Sequence, residues 1–143
     1  MVSEDLLKKL KDMREGAGER KPSDALLLCE AMKQLAQENE DIKEEVEDMD
    51  LITAQFEWTD VGYKYWVKVG EGQVDYGEGE AEDPSVTMKA TSATWVALGS
   101  GEIEATSAYM SGDLQIEGNL QDSIAYGEIN NMVGEVLREL RGE

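Results

Sequence analysis

The residue types that most often carry catalysis are thin in this chain. Ser100 lies in Gly99-Ser100-Gly101, a spacing reminiscent of a nucleophile turn, but a serine nucleophile needs a base to take its proton and the 143 residues include no histidine. Gly70-Glu71-Gly72 and Gly77-Glu78-Gly79 have the look of phosphate loops, yet each puts a carboxylate where backbone amides would have to receive an anion. They read as turns between strands. Cys29 is the single cysteine and falls in an apolar helical run, so it packs a core and builds neither a disulfide nor a thiolate metal site. The carboxylates are abundant rather than arranged, and the acidic run from Gln37 to Asp50 lacks the glycine around which a calcium loop turns. The expectation is a protein with no catalytic residue, no metal and no cofactor.

The charge balance narrows the partners. With 32 acidic against 13 basic side chains the net charge is −19, which repels nucleic-acid phosphates and anionic membrane surfaces. Nucleic acid is therefore excluded as an expected partner, and so is stable membrane insertion: Met1 to Leu10 alternates charge with leucine and holds no uninterrupted apolar stretch. The C-terminal Arg141-Gly142-Glu143 is no peroxisomal address, so a cytoplasmic location is expected. Hydrophobic residues at 41% and charged residues at 31% are globular proportions, in a length suited to one domain over residues 1–143, with 1–40 as an N-terminal helical extension.

The elements that would hold any site follow from periodicity. Ser3 can cap a short helix with Leu6, Leu7, Leu10 and Met13 on one face, broken by Gly16 and Gly18. After Pro22 a packed helix carries Ala25, Leu28, Cys29, Met32, Leu35 and Ala36 at helical spacing, and Ile42, Val46 and Met49 stripe an otherwise acidic helix. The period then changes to two. Leu51 to Trp58, Tyr63 to Val69, Gln73 to Gly77 and Val86 to Ala90 read as a meander of four strands, with Tyr63, Tyr65, Val67 and Val69 alternating against Lys64, Trp66 and Lys68. Ser92 can cap a very short helix, Glu104 to Met110 is another with Ala105, Ala108 and Tyr109 inward, and Asp113 to Glu117 is a fifth strand. Asn119 caps a closing helix whose buried stripe runs through Ile129, Met132, Val133, Val136, Leu137 and Leu140. The fold class is α+β: a five-stranded, mostly antiparallel sheet covered by helices on one face.

Large apolar groups cluster on the short late elements, namely Trp95, Leu98, Tyr109, Met110, Leu114 and Ile116, and they need a common interior. Three segments there carry a resemblance: Asp83-Pro84-Ser85-Val86-Thr87-Met88-Lys89-Ala90, then Trp95-Val96-Ala97-Leu98 with Gly101, then Ala108-Tyr109-Met110-Ser111-Gly112-Asp113-Leu114-Gln115-Ile116-Glu117-Gly118-Asn119. In order and spacing this block resembles the sterol carrier protein type two domain, and the strand pair Leu51 to Val69 agrees more loosely.

The resemblance implies an apolar tunnel between sheet and helices that takes fatty acyl chains, acyl-CoA, sterols or other lipids. The implied lining is Phe56, Trp66, Met88, Trp95, Leu98, Tyr109, Met110, Leu114, Ile116, Ile124 and Met132. Methionines suit such a lining because the unbranched thioether adapts to varied ligands. Tyr109 stands where that family commonly has Phe, and its hydroxyl either reaches water or bonds a ligand head group. The implied function is an intracellular lipid carrier. The alternative is a protein-interaction or regulatory domain on the same fold, with a homodimer as its natural form and the N-terminal amphipathic pieces, 3–13 and 23–39, as its surface.

Overall fold

The computed structural model describes residues 4, 6–9, 25–100 and 102–140, with the backbone alone for Gly99 and Ser100. Residues 4 and 6–9 are helical and Leu6 is buried, while the capping role of Ser3, the positions of Leu10 and Met13 and the break at Gly16 and Gly18 lie outside the described residues. Helix α1 (Ala25–Glu38) buries Cys29, Ala31, Met32 and Leu35, so the second half of the expected N-terminal extension is part of the core. Asn39 ends it and starts α2 (Glu40–Asp48): its side-chain oxygen accepts from the Ile42 amide at 3.1 Å, satisfying one of the free donors of the new helix. Ile42 and Val46 are the face α2 buries.

Strands β1 (Ile52–Trp58), β2 (Tyr63–Gly70), β3 (Gln73–Glu78), β4 (Val86–Ala90) and β5 (Gln115–Gly118) form one sheet in the order β3-β2-β1-β4-β5. The expected meander stops after β3. Instead β4 crosses to the far side of β1 and runs parallel to it, Ala54 opposite Val86 and Phe56 opposite Met88; the other three pairings are antiparallel. The alternation of a strand tells which face it buries and nothing about its neighbour, so periodicity does not separate a meander from a crossing.

What holds the crossing is Gln55. It is 4% exposed, the one buried polar side chain among the described residues, and its amide nitrogen donates to the Tyr65 and Gly79 carbonyls at 3.1 and 3.0 Å. Its oxygen accepts from the Ala81 amide at 2.7 Å, so both ends of the side chain pin the connection as it passes over the outer face of the sheet. The Ser85 amide then bonds the Thr53 carbonyl at 2.9 Å and leads β4 into register.

Helices α3 (Ser92–Ser100) and α4 (Ala105–Ser111) form the excursion between β4 and β5, and α5 (Leu120–Leu140) closes the chain. Ser92 does not cap its helix with its own side chain. Asp60, from the β1–β2 turn, accepts from both the Ser92 amide and hydroxyl at 2.9 Å, and Thr91 takes the cap position with its hydroxyl toward the Thr94 amide at 3.4 Å. Asn119 caps α5 as expected, accepting from the Asp122 amide at 3.2 Å. Along α5 Ile129, Val133 and Leu137 are buried, Met132 and Val136 half-buried and Leu140 exposed.

Helices α1, α2 and α5 pack on the same side of the sheet, α1 over β3, α2 over β2 and α5 over β1 and β4. The core lies between: Ile52, Ala54 and Phe56 of β1, Tyr65, Val67 and Val69 of β2, and Val86, Met88 and Ala90 of β4 are all buried. The other face is polar. Across it runs an alternating row of charges, Glu117 to Lys89 (2.8 Å), Lys89 to Glu57 (3.4 Å), Glu57 to Lys64 (3.2 Å) and Lys64 to Glu80 (2.7 Å), spanning β5, β4, β1, β2 and the crossing loop.

Candidate functional site

Two concave or apolar regions compete as a site, and their chemistry differs. On the outer face, Gln55, Glu57, Glu80, Ala81, Pro84, Thr87, Lys89 and Glu117 line an open depression of about 250 Å³. Its walls are charged and already paired with one another, so it offers nothing to a hydrocarbon. Among the described residues no group of three or more acidic, cysteine or histidine side chains could hold a metal.

The helix-facing side is of the opposite character. Period two along β1 and β2 brings Phe56, Trp58, Tyr63 and Tyr65 to the same surface at one end of the sheet, and α3 and α5 add Trp95 and Tyr126. Phe56 is the hub: it stacks on Tyr65 (4.8 Å, 9°), takes the edge of Trp95 (5.6 Å, 65°) and tilts against Tyr126 (5.2 Å, 57°). Tyr63 joins Tyr65 at 6.0 Å and Trp58 stands edge-on to Tyr63 at 6.5 Å. Offset and edge-to-face pairs of this kind each add about 0.5–1.5 kcal/mol beyond the area they bury.

The polar tips of these rings are mostly engaged. The Trp95 indole donates to the Glu57 carbonyl at 2.9 Å, which ties α3 to β1, and the Tyr63 hydroxyl donates to Glu78 at 2.8 Å. The neighbouring Tyr76 hydroxyl donates to Glu30 at 2.7 Å. Trp58 is the exception. Its indole nitrogen is buried and has no hydrogen-bond partner, the only such side-chain nitrogen or oxygen among the described residues. An unmet buried donor of this kind costs about 1–3 kcal/mol.

Burial governs the ionisation of the cluster. It pushes the Cys29 thiol up to about 12 and, with the Glu30 hydrogen bond, the Tyr76 phenol up to about 12. The same desolvation raises Tyr63, aided by Glu78, and holds Tyr65 and Tyr126 well above the usual phenol value. Every one of these groups is neutral at pH 7, so they bring no charge to the cluster.

The expected lining divides three ways. Phe56, Met88 and Leu114 are buried in the core, with Ile116, Trp95, Leu98 and Met132 half-buried against it; Met88 is paired in register with both Phe56 and Ile116. Tyr109, Met110 and Ile124 point outward, at 44%, 81% and 50% exposure, so the inward placement of Tyr109 and of Ala105 on α4 is corrected: only Ala108 of that helix is buried. Trp66 belongs to the opposite face, its ring on Gly77 and the Lys68 ammonium 5.6 Å above it, and it cannot line a space between sheet and helices. Its alternation with Tyr65 and Val67 already places it on the lysine side. Trp58, Tyr63, Tyr65 and Tyr126 escape the sequence reading of the lining; their signal is the same alternation in β1 and β2 and, for Tyr126, a place three residues before Ile129 on the buried stripe of α5.

The SCP-2 sterol transfer family model matches residues 31–129. The chain belongs to the SCP-2 sterol transfer family. The match begins well before Asp83 and takes in the second half of α1 and all of α2, beyond the block that carries the resemblance in the sequence. Its fold is that of a lipid-binding and lipid-transfer domain. The solved structure of sterol carrier protein 2 from Yarrowia lipolytica, in its apo form, is 15% identical over 73% of this chain and 87% of its own, with a TM-score of 0.56. Protein TT1886 from Thermus thermophilus is 21% identical over 85% and 90%, with a TM-score of 0.58. A double mutant of the sec-alkyl sulfatase PisA1 has a TM-score of 0.60 at 17% identity; the match covers 77% of this chain and only 16% of the sulfatase, so there the fold is a small part of a larger chain. These likenesses support the fold. No curated protein matches the sequence.

Proposed function

We propose that the protein is a carrier for an apolar ligand, a fatty acyl chain or similar lipid, held between the sheet and the helices, and that it holds its cargo without transforming it. The observation that carries this reading is the aromatic surface around Phe56, a neutral, ring-lined interior on a fold of the SCP-2 sterol transfer family. Exposed apolar side chains on the neighbouring short elements, Tyr109 and Met110 on α4 and Leu120 and Ile124 at the start of α5, support it as places where a hydrocarbon would be met. The absence of histidine from the sequence and the protonated, buried Cys29 thiol favour holding over chemistry. The acidic surface favours a cytoplasmic carrier that does not embed in anionic membranes.

The test is extraction of the purified protein with organic solvent followed by mass spectrometry, with displacement of a fluorescent apolar probe as the binding measurement. A protein that yields no lipid and displaces no probe at micromolar acyl chain ends the carrier reading. The exposed Met110, Tyr109 and Ile124 also favour a second use, as an interaction face; light scattering that finds a homodimer abolished by Met110→Glu, with lipid uptake intact, would assign those residues to it.

A further inference from the structure

Trp58 ends β1 on the helix-facing side, paired with Tyr63 across β2 and with Ala90 across β4, at the end of the sheet where α3 begins. Its indole N–H is shut from water yet bonds to nothing. A phenylalanine would keep the edge-on contact with Tyr63 without bringing an unmet donor inside, so the donor has no structural use in the unliganded fold. The nearby Tyr65 hydroxyl feels the indole, which favours its ionised form, but the pair does not meet hydrogen-bond geometry, so the Trp58 donor is not satisfied by it. Buried donors without partners are rare in native proteins, and a ligand acceptor is one way to complete them.

The charges around this end of the cluster restrict what the acceptor is. The group bonded to the Tyr63 hydroxyl is the Glu78 carboxylate, and the lysines whose partners are described are engaged elsewhere: Lys64 and Lys89 in the outer charge row, Lys33 with Asp75, Lys68 over Trp66. A ligand carboxylate here would be buried on the side where Tyr63 meets Glu78, with none of these four lysines free to compensate it. We infer that Trp58 donates its indole N–H to an uncharged acceptor at the polar end of the cargo, a carbonyl such as that of an ester, ketone or aldehyde, and that the site discriminates against the free acid. This rests on the carrier reading and names the ligand class within it.

Dodecane, methyl dodecanoate and dodecanoate at neutral pH form the probe set, each titrated against bound N-phenyl-naphthylamine in the wild type and in Trp58→Phe. The ester is expected to bind more tightly than the acid in the wild type. In Trp58→Phe its affinity should fall by about threefold to tenfold, the worth of one neutral hydrogen bond, while dodecane is unchanged. A readout independent of the variant's stability is the indole N–H spectrum of ¹⁵N-labelled wild type, which has three tryptophans: the signal missing from Trp58→Phe should move downfield with methyl dodecanoate and stay with dodecane. An ester advantage that survives in Trp58→Phe, an acid that binds as well as the ester, or an unmoved Trp58 signal overturns the inference and leaves the carrier reading standing. Binding of none of the three overturns both.

Discussion

Phe56 lies flat against Tyr65, ring centroids 4.8 Å apart, and the two residues are also direct partners in the β1–β2 register. Backbone pairing and ring stacking thus reinforce each other at the centre of the helix-facing surface. Because Phe56 also meets Trp95 and Tyr126, removing its ring unsupports three others at once.

Phe56→Ala is therefore expected to cost about 3–5 kcal/mol in urea unfolding, the range for truncating a buried aromatic. Phe56→Leu, which keeps most of the volume, should unfold closer to the wild type but lose affinity for an acyl ligand. Equal affinity in a folded Phe56→Leu protein would separate the ring cluster from binding.

Trp66 supplies the contrasting control. Since it lies on the outer face over Gly77, Trp66→Ala should leave ligand affinity unchanged. A Cβ added at residue 77 would stand 2.7 Å from the Trp66 ring, so Gly77→Ala is expected to destabilise by about 1–3 kcal/mol, and the double variant Gly77→Ala with Trp66→Val should recover most of that loss. Additive losses in the double-mutant cycle would show that the ring is not what Gly77 accommodates.

Alkaline pH should unfold this protein early. Cys29 rises from an ordinary 9.0 to about 12 and Tyr76 from 10.0 to about 12 on folding, with Tyr63, Tyr65 and Tyr126 raised as well. A raised folded value means the folded state keeps protons the unfolded chain has released, so this stabilisation is complete below about pH 9 and drains away as pH climbs toward 12. Denaturant midpoints measured at pH 8, 9.5 and 11 should fall in that order, and in a Tyr109→Phe background, which leaves only the four cluster phenols, tyrosinate absorbance should appear together with unfolding rather than before it. Phenols that titrate near 10 in the folded Tyr109→Phe protein would contradict the burial of the cluster.

The same burial predicts an inert thiol. Cys29 is 4% exposed, and thiol reagents should label it only at the rate at which the native state opens. Fast labelling at neutral pH would place Cys29 outside the core.

At the start of α2, Asn39→Ala removes the acceptor for the Ile42 amide and should cost about 1 kcal/mol, readable as a lowered urea midpoint with an unchanged slope. Asn39→Asp should retain the stability.

Much of this architecture could be read from pattern alone, and the limits have specific causes. Alternation in β1, β2 and β4 put Phe56, Tyr65 and Met88 on one face, and the block from Asp83 to Asn119 carried the family. Neighbour order was not legible, because Val86, Met88 and Ala90 bury the same face whether β4 lies beside β3 or beside β1; the deciding interactions are made by Gln55 with main-chain atoms of the crossing loop, which no periodicity encodes. Exposure on short helices was equally opaque. In α4 Ala108, buried, lies only two positions from Met110, 81% exposed, and seven residues are too few to define a stripe. The unmet donor of Trp58 is a three-dimensional fact: a tryptophan at a strand end looks the same in sequence whether or not its nitrogen finds a partner.

The parallel pairing of β1 with β4 also sets an order of events during synthesis. Until Val86 to Ala90 has left the ribosome, β1 has its β2 partner on one side and an unfilled row of amides and carbonyls on the other. A nascent chain that pauses before residue 86 thus presents an apolar strand with an open edge, the sort of surface that chaperones hold and that aggregates recruit. Only the late arrival of β4 closes it, so a pause while β1 and β2 have emerged and residues 86–90 are still inside the ribosome should lower the soluble yield more than an equal pause after β4 has emerged.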